Sequence, residues 1–202
     1  MMPGADKDLD ALVPALRRRD PVAFRRLYEA LADSLGGFAF GMLRDRLAAE
    51  DAVQQAFLEF VKAAPDLVGD GRSVRAWLYR SVRFTCLDEI RRRSRRPEQL
   101  MDVLPEPESR GADPVDMLFD PDLEAAFATL TPHQRTVVLL RHVAGMSGAE
   151  VAKVVGSNRA AVYAMIARAE ASLRRALSPV ESDGVAASEP VKGKPAFGRT
   201  HE

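Results

Sequence analysis

Ser147-Gly148-Ala149-Glu150-Val151-Ala152-Lys153-Val154-Val155-Gly156-Ser157 decides the fold of this chain. Ser147 followed three residues later by Glu150 is a capping box, in which the two side chains satisfy each other's backbone donors and open a helix. The apolar spacing then carries a short helix to Val155. Gly156 supplies a turn, and Ser157 is placed to cap a second helix running to about Leu177. Two short helices joined by a glycine turn have the outline of a helix-turn-helix. At about 100° per residue the second helix turns Val162, Met165, Ile166, Ala169 and Leu173 to one side. Ser157, Ala160, Ala164, Arg168, Ala171 and Arg175 fall on the other, flanked by Arg159 and Tyr163. Alanines let a helix backbone sit deep in a major groove while arginines reach phosphate or guanine.

Upstream of this unit, Thr131-Pro132 is another cap followed by proline, starting a helix that continues through Val143, and Asp122 to Leu130 is helical before it. Between Pro97 and Pro121 the chain is acidic and interrupted by Pro97, Pro105, Pro107, Pro114 and Pro121, a composition suited to a flexible linker at 97–121. The preceding block, 20–96, is also helical. Asp20-Pro21 starts a helix to about Leu31, Gly36-Gly37 interrupts it, and Phe38 to Leu43 is a short apolar segment. Ala48 to Ala64 is a longer helix that Pro65 ends, Pro65 to Arg72 is a loop, and Ser73 is placed to cap a helix to Arg95. No strand pattern occurs, so the expected fold is all-α: two small helical domains, 20–96 and 122–177, between an N-terminal segment 1–19 and a disordered tail 178–202.

Lysine plus arginine equals aspartate plus glutamate at 29 each, so only the distribution of charge is informative. Arg75 to Arg96 holds eight arginines against Asp88 and Glu89, net +6. Pro97 to Glu124 holds nine acids against Arg110, net −8, and Ala125 to Leu177 seven bases against Glu150 and Glu170, net +5. Basic, acidic, basic alternation suits two nucleic-acid-binding modules on a repelling linker. Cys86 is the only cysteine, and His133, His142 and His201 have no metal-ligand spacing, so neither a disulfide nor a metal or other cofactor is expected. Cys86 reads as a packed thiol, and catalytic groups at recognisable spacing are lacking, which argues against an enzyme. The N-terminus carries Asp6, Asp8 and Asp10 where a secretion signal needs bases, and no apolar run approaches membrane-spanning length, so a cytoplasmic protein is expected.

Two further faces carry chemistry. On the 48–64 helix, Val53, Ala56, Phe57, Phe60 and Val61 share one side, with Asp51, Gln54, Gln55, Leu58 and Lys62 opposite. Leu58 centred in a polar stripe fits an anchor for a protein partner, although a lone surface leucine is also ordinary. On the helix from Ser73, Trp77, Tyr79 and Phe84 lie among Arg75, Arg80 and Arg83, a mixture able to stack unpaired bases and follow their backbone. Trp77 belongs with the core face, while Arg80, Arg83, Arg91 and Arg92 are suited to phosphate.

These residues resemble the extracytoplasmic-function group of bacterial RNA polymerase sigma factors. The resemblance is carried by Ala49-Glu50-Asp51-Ala52-Val53-Gln54-Gln55-Ala56-Phe57-Leu58, Arg75-Ala76-Trp77-Leu78-Tyr79-Arg80 and Leu87-Asp88-Glu89-Ile90-Arg91-Arg92 in the first block. In the second it is carried by Leu130-Thr131-Pro132-His133-Gln134-Arg135 and Gly145-Met146-Ser147-Gly148-Ala149-Glu150-Val151-Ala152. It implies a factor that binds core RNA polymerase, directs it to promoter DNA and helps melt the start region, the catalysis belonging to the polymerase. Asp51, Gln54, Gln55 and Leu58 would meet the polymerase. The 65–72 loop and the helix after it, with Arg80, Arg83, Phe84, Arg91 and Arg92, would handle the non-template strand of the minus-10 element. Ser157, Arg159, Ala160, Tyr163, Ala164 and Arg168 would read the minus-35 duplex. The resemblance also admits an anti-sigma factor as a partner. Phe84 stands where the family usually has asparagine, and Ala161, Tyr163, Ala164 and Met165 replace its usual threonine, lysine, serine and arginine, which shifts the reading helix from direct base contact toward DNA shape. A stand-alone helix-turn-helix regulator is the alternative, but it has no need of an outward Asp51-Gln54-Leu58 stripe or of a basic aromatic helix.

Overall fold

The computed structural model describes residues 3–95 and 121–178, and the linker and tail expected at 97–121 and 178–202 lie almost wholly outside them. Among the described residues there is no strand, and the helices are α1 (Pro3–Arg17), α2 (Pro21–Leu43), α3 (Arg46–Ala63), α4 (Gly71–Arg95), α5 (Pro121–Ala128), α6 (Pro132–His142), α7 (Gly148–Val155) and α8 (Arg159–Leu177). A 3-10 turn, Ala64–Asp66, closes α3 where Pro65 removes a backbone donor.

The first four helices form one unit. Asp20 caps α2 by accepting from Val22 N at 2.8 Å, and Pro21 occupies its first turn. The helix does not stop at Gly36-Gly37 as expected; it runs unbroken to Leu43. Two helical glycines cost about 1 kcal/mol each relative to alanine. Burial of Leu35, Phe38, Ala39 and Met42 outweighs that, at roughly 1.5–3 kcal/mol for each large side chain. An aromatic layer crosses the unit, Phe24 and Trp77 on either side of Phe60 at 6.0 and 5.3 Å between ring centres and Phe38 edge-on to Tyr79 at 5.5 Å. Segment 1–19 supplies a helix that the sequence reading left unassigned: Leu9, Val13 and Leu16 of α1 are buried in this core, with α4 and α2 as neighbours.

Several local expectations shift by a residue or a face. Asp45 caps α3 by accepting from Ala48 N, so the helix starts at Arg46. Ser73 does not cap α4; its amide and hydroxyl both donate to Asp70 Oδ1, at 2.9 and 3.0 Å. Asn158 rather than Ser157 caps α8, accepting from Ala161 N at 2.8 Å. Val61 is exposed, and Ala49 and Ala52 take its place on the buried face of α3. The capping box of α7 forms as read, with Gly156 left-handed at φ 69° behind it, and Thr131 with Gln134 makes a second capping box at α6.

The two helical units are those expected from the sequence, and they also touch: α6 packs on α2 and α7 on α4, and the buried residues of both units form one cluster. Gly41 makes the first contact possible: a Cβ there would stand 2.6 Å from Leu139 Cδ2. Arg135 donates to Met42 O at 3.3 Å and Phe127 O at 2.9 Å, and Arg44 pairs with Glu124 at 2.9 Å.

Candidate nucleic-acid and polymerase interfaces

The α3 stripe is where periodicity put it. Asp51, Gln54, Gln55 and Leu58 are all exposed on one side of the helix, and Leu58 is 62% exposed although Ala56, Phe57 and Phe60 around it are buried. Gln55 donates to Glu59 at 2.9 Å, and Glu59 accepts from Ser81 at 2.7 Å, so the stripe is fixed to α4 along its edge. Those two hydrogen bonds hold the Glu59 carboxyl below its ordinary range. Tyr28, half exposed, has its ring centre 4.9 Å from that of buried Phe57.

On α4 the candidate residues divide. Phe84 is exposed, with the Arg83 guanidinium 5.5 Å from its ring centre. Arg83 itself is only 8% exposed, and its Nε has no hydrogen-bond partner among the described residues. Burial, and then the like charges of Arg91 and Arg80, lower its pKa. Arg80 donates to Lys153 O of α7, and Arg75 to Ala144 O before α7. In this arrangement Arg80 is therefore engaged by the second unit. Tyr79, read among the stacking aromatics, is fully buried, and burial raises its phenol pKa. Cys86 is also buried, its thiol pushed up to about 12 by burial and then by Glu89, so little thiolate exists near neutral pH.

At the end of α4, Arg91 pairs with Asp88 at 2.8 Å and Arg92 with Glu89 at 2.7 Å, both arginines on the surface. Arg93 differs: it bridges Glu89 at 2.6 Å and Asp45 at 2.7 Å, tying this end of α4 to the cap of α3. Burial raises the Asp45 and Glu89 pKa values, but hydrogen bonds and the arginines outweigh it, and both end below the ordinary carboxylate range. This staple was not singled out from sequence, because Arg93 looks the same as its neighbours until the fold brings Asp45 beside it.

The outward face of α8 matches its projection. Ser157, Arg159, Ala160, Tyr163, Ala164 and Arg168 are all exposed, while Val162, Ile166 and Ala169 are buried and Met165 and Leu173 partly so. Arg168 and Arg175 fold back on their own helix, donating to Ala164 O and Ala171 O. The Tyr163 ring leans over the start of α7: a Cβ on Gly148 would lie 2.5 Å from Tyr163 Cζ, so glycine there lets the two helices of the motif close.

Among the described residues, an all-α arrangement with a helix-turn-helix, a second cationic helix end and an exposed polar stripe centred on leucine defines the class of helix-turn-helix DNA-binding proteins. The Sigma-70 region 2 family matches residues 27–96 and the Sigma-70 region 4 family residues 121–173. The chain is 31% identical to the ECF RNA polymerase sigma factor SigL of Mycobacterium tuberculosis over 83% of its own length and 96% of that protein. It is 28% identical to BldN of Streptomyces coelicolor, covering 87% of this chain and 69% of that one. Against SigG of Mycobacterium tuberculosis, at 31% identity, it spans 46% of the relative's length. Among solved structures, CnrH in complex with the cytosolic domain of CnrY superposes with a TM-score of 0.63 at 26% identity, over 86% of this chain and 97% of that chain. The chain belongs to the extracytoplasmic-function RNA polymerase sigma factors, which direct RNA polymerase to promoters.

Proposed function

We propose that the α3 stripe docks this sigma factor on core RNA polymerase, that α4 and the loop before it engage the opened minus-10 strand, and that α8 reads the minus-35 duplex. The observation that carries this reading is the exposed set Asp51, Gln54, Gln55 and Leu58: a large apolar side chain kept in solvent at the centre of a polar face, on a helix that also exposes Leu47 and Val61. On α4, Arg83 feels the like charges of Arg91 and Arg80, and a phosphate brought beside it relieves that repulsion. Exposed Phe84 offers a ring on which an unpaired base can stack. On α8, Ala160 and Ala164 keep the helix surface low beside Arg159, Arg168 and Tyr163, which favours phosphate grip and shape reading over a dense set of base-specific hydrogen bonds.

Arg80 meets phosphate in this scheme only after α7 releases it, so promoter engagement and separation of the two units are linked. The chemistry of RNA synthesis stays with the polymerase, and the cytoplasm is where this factor works. CnrH is in complex with the cytosolic domain of CnrY, and an anti-sigma partner suits this chain. The test is initiation itself. Purified full-length chain is added to core polymerase on genomic fragments, and the transcripts and bound promoters are sequenced. A restricted promoter set supports the reading; tight duplex binding by the chain alone, with no polymerase association, contradicts it.

A further inference from the structure

Two parts of the chain about fifty residues apart meet at the loop before α4. From the last turn of α1, Arg17 donates through Nε to Leu67 O and through Nη2 to Gly69 O, both at 3.0 Å. Two turns earlier on the same helix face, Asp10 accepts from Gly71 N at 2.7 Å. The approach is close: a Cβ on Gly71 would lie 2.6 Å from Leu9 Cβ and 2.7 Å from Asp10 N. Gly69 takes a φ of 128°, which side-chain-bearing residues rarely adopt, and Asp70 is fixed by both donors of Ser73. Leu67, Gly69, Asp70 and Gly71 are thus all tied down. Between the two clamped carbonyls stands Val68, 90% exposed.

A loop that merely joins α3 to α4 needs no such clamp, and a clamp that served only packing would turn its β-branched side chain inward. We infer that α1 is a brace for the 67–71 loop, with Arg17 and Asp10 as positioning residues that present Val68 to an unpaired base of the opened promoter strand. This rests on the reading that the loop handles that strand. Presetting the loop means its ordering entropy is not paid when the base is captured. Because Arg17 is exposed and its side-chain hydrogen bonds among the described residues go to carbonyls, its loss should alter the loop and leave the core intact.

The test uses the full chain with core polymerase on forked oligonucleotides carrying a promoter recovered as above, each non-template position of the melted segment substituted in turn. Val68→Gly should flatten discrimination at one position. Arg17→Ala and Asp10→Ala should flatten the same position and slow opening of the intact duplex about five- to tenfold, the size of one or two hydrogen bonds. Polymerase affinity and melting temperature should hold for Arg17→Ala, amide exchange should quicken across 67–71, and Arg17→Lys should restore part of the effect. Unchanged discrimination in Val68→Gly overturns the loop reading and the brace with it. A flattened position in Val68→Gly with wild-type behaviour in Arg17→Ala overturns the brace alone. A uniform loss at every position with a lowered melting temperature assigns α1 to folding only and equally overturns it.

Discussion

Asp45 performs two tasks with one carboxylate: Oδ1 caps α3 and Oδ2 holds Arg93. The tasks separate by substitution. Asn keeps a capping oxygen and loses the charge, whereas Ala loses both. We expect Asp45→Ala to lower unfolding stability by about 1–2 kcal/mol and Asp45→Asn by less than half of that, measured by urea denaturation. Asp45, Glu89 and Glu150 all sit below the ordinary carboxylate range. A group depressed by folding stabilises above its unfolded pKa and loses that contribution as pH falls through the folded value. Stability should therefore be flat near neutrality and fall below about pH 4, and the fall should be shallower in Asp45→Asn. At this scale the sequence was legible wherever one helix decides a residue's place, as with Leu58 or the α8 face. It was not legible for Arg93, Arg83 or Tyr79, whose surroundings come from other helices.

Helices were readable where caps and period agree. The α7 capping box and the Gly156 turn formed at the expected residues, because reciprocal hydrogen bonds three residues apart need no tertiary help. Gly36-Gly37 misled for the converse reason: propensity argues for a break, but a buried face on both sides of the pair keeps α2 continuous. The α1 helix carried a signal in Leu9, Val13 and Leu16 at helical spacing, masked by acidic residues and by Pro14 within the helix. Ser147→Ala removes the hydroxyl that caps α7 and accepts from Glu150 N, and should cost about 1 kcal/mol. Asn158→Ala removes the oxygen that fixes the first turn of α8, where Arg159 and Ala160 stand. Its expected signature is a several-fold loss of minus-35 duplex affinity in a fluorescence titration with little change in minus-10 binding.

The joining of the two units was invisible in the sequence because much of it runs from arginines to backbone carbonyls, which any residue can provide. Arg75, Arg80 and Arg135 each reach a carbonyl across the boundary, and Arg44 reaches Glu124. Such bonds contribute about 1 kcal/mol apiece, enough to favour closure and little enough for polymerase and promoter to reverse it. Arg44→Glu sets two acids face to face and should enlarge the radius of gyration in small-angle scattering, most at low salt; adding Glu124→Arg should restore compactness. In the proposed scheme an outward leucine on α3 docks the chain on the polymerase while α4 and α8 hold the promoter. The most direct measurement is core polymerase affinity of the wild type and of Leu58→Asp, with helical content followed by circular dichroism. We expect at least a tenfold loss of affinity at unchanged helicity, the size of one central apolar anchor; equal affinity in the two proteins would contradict the account.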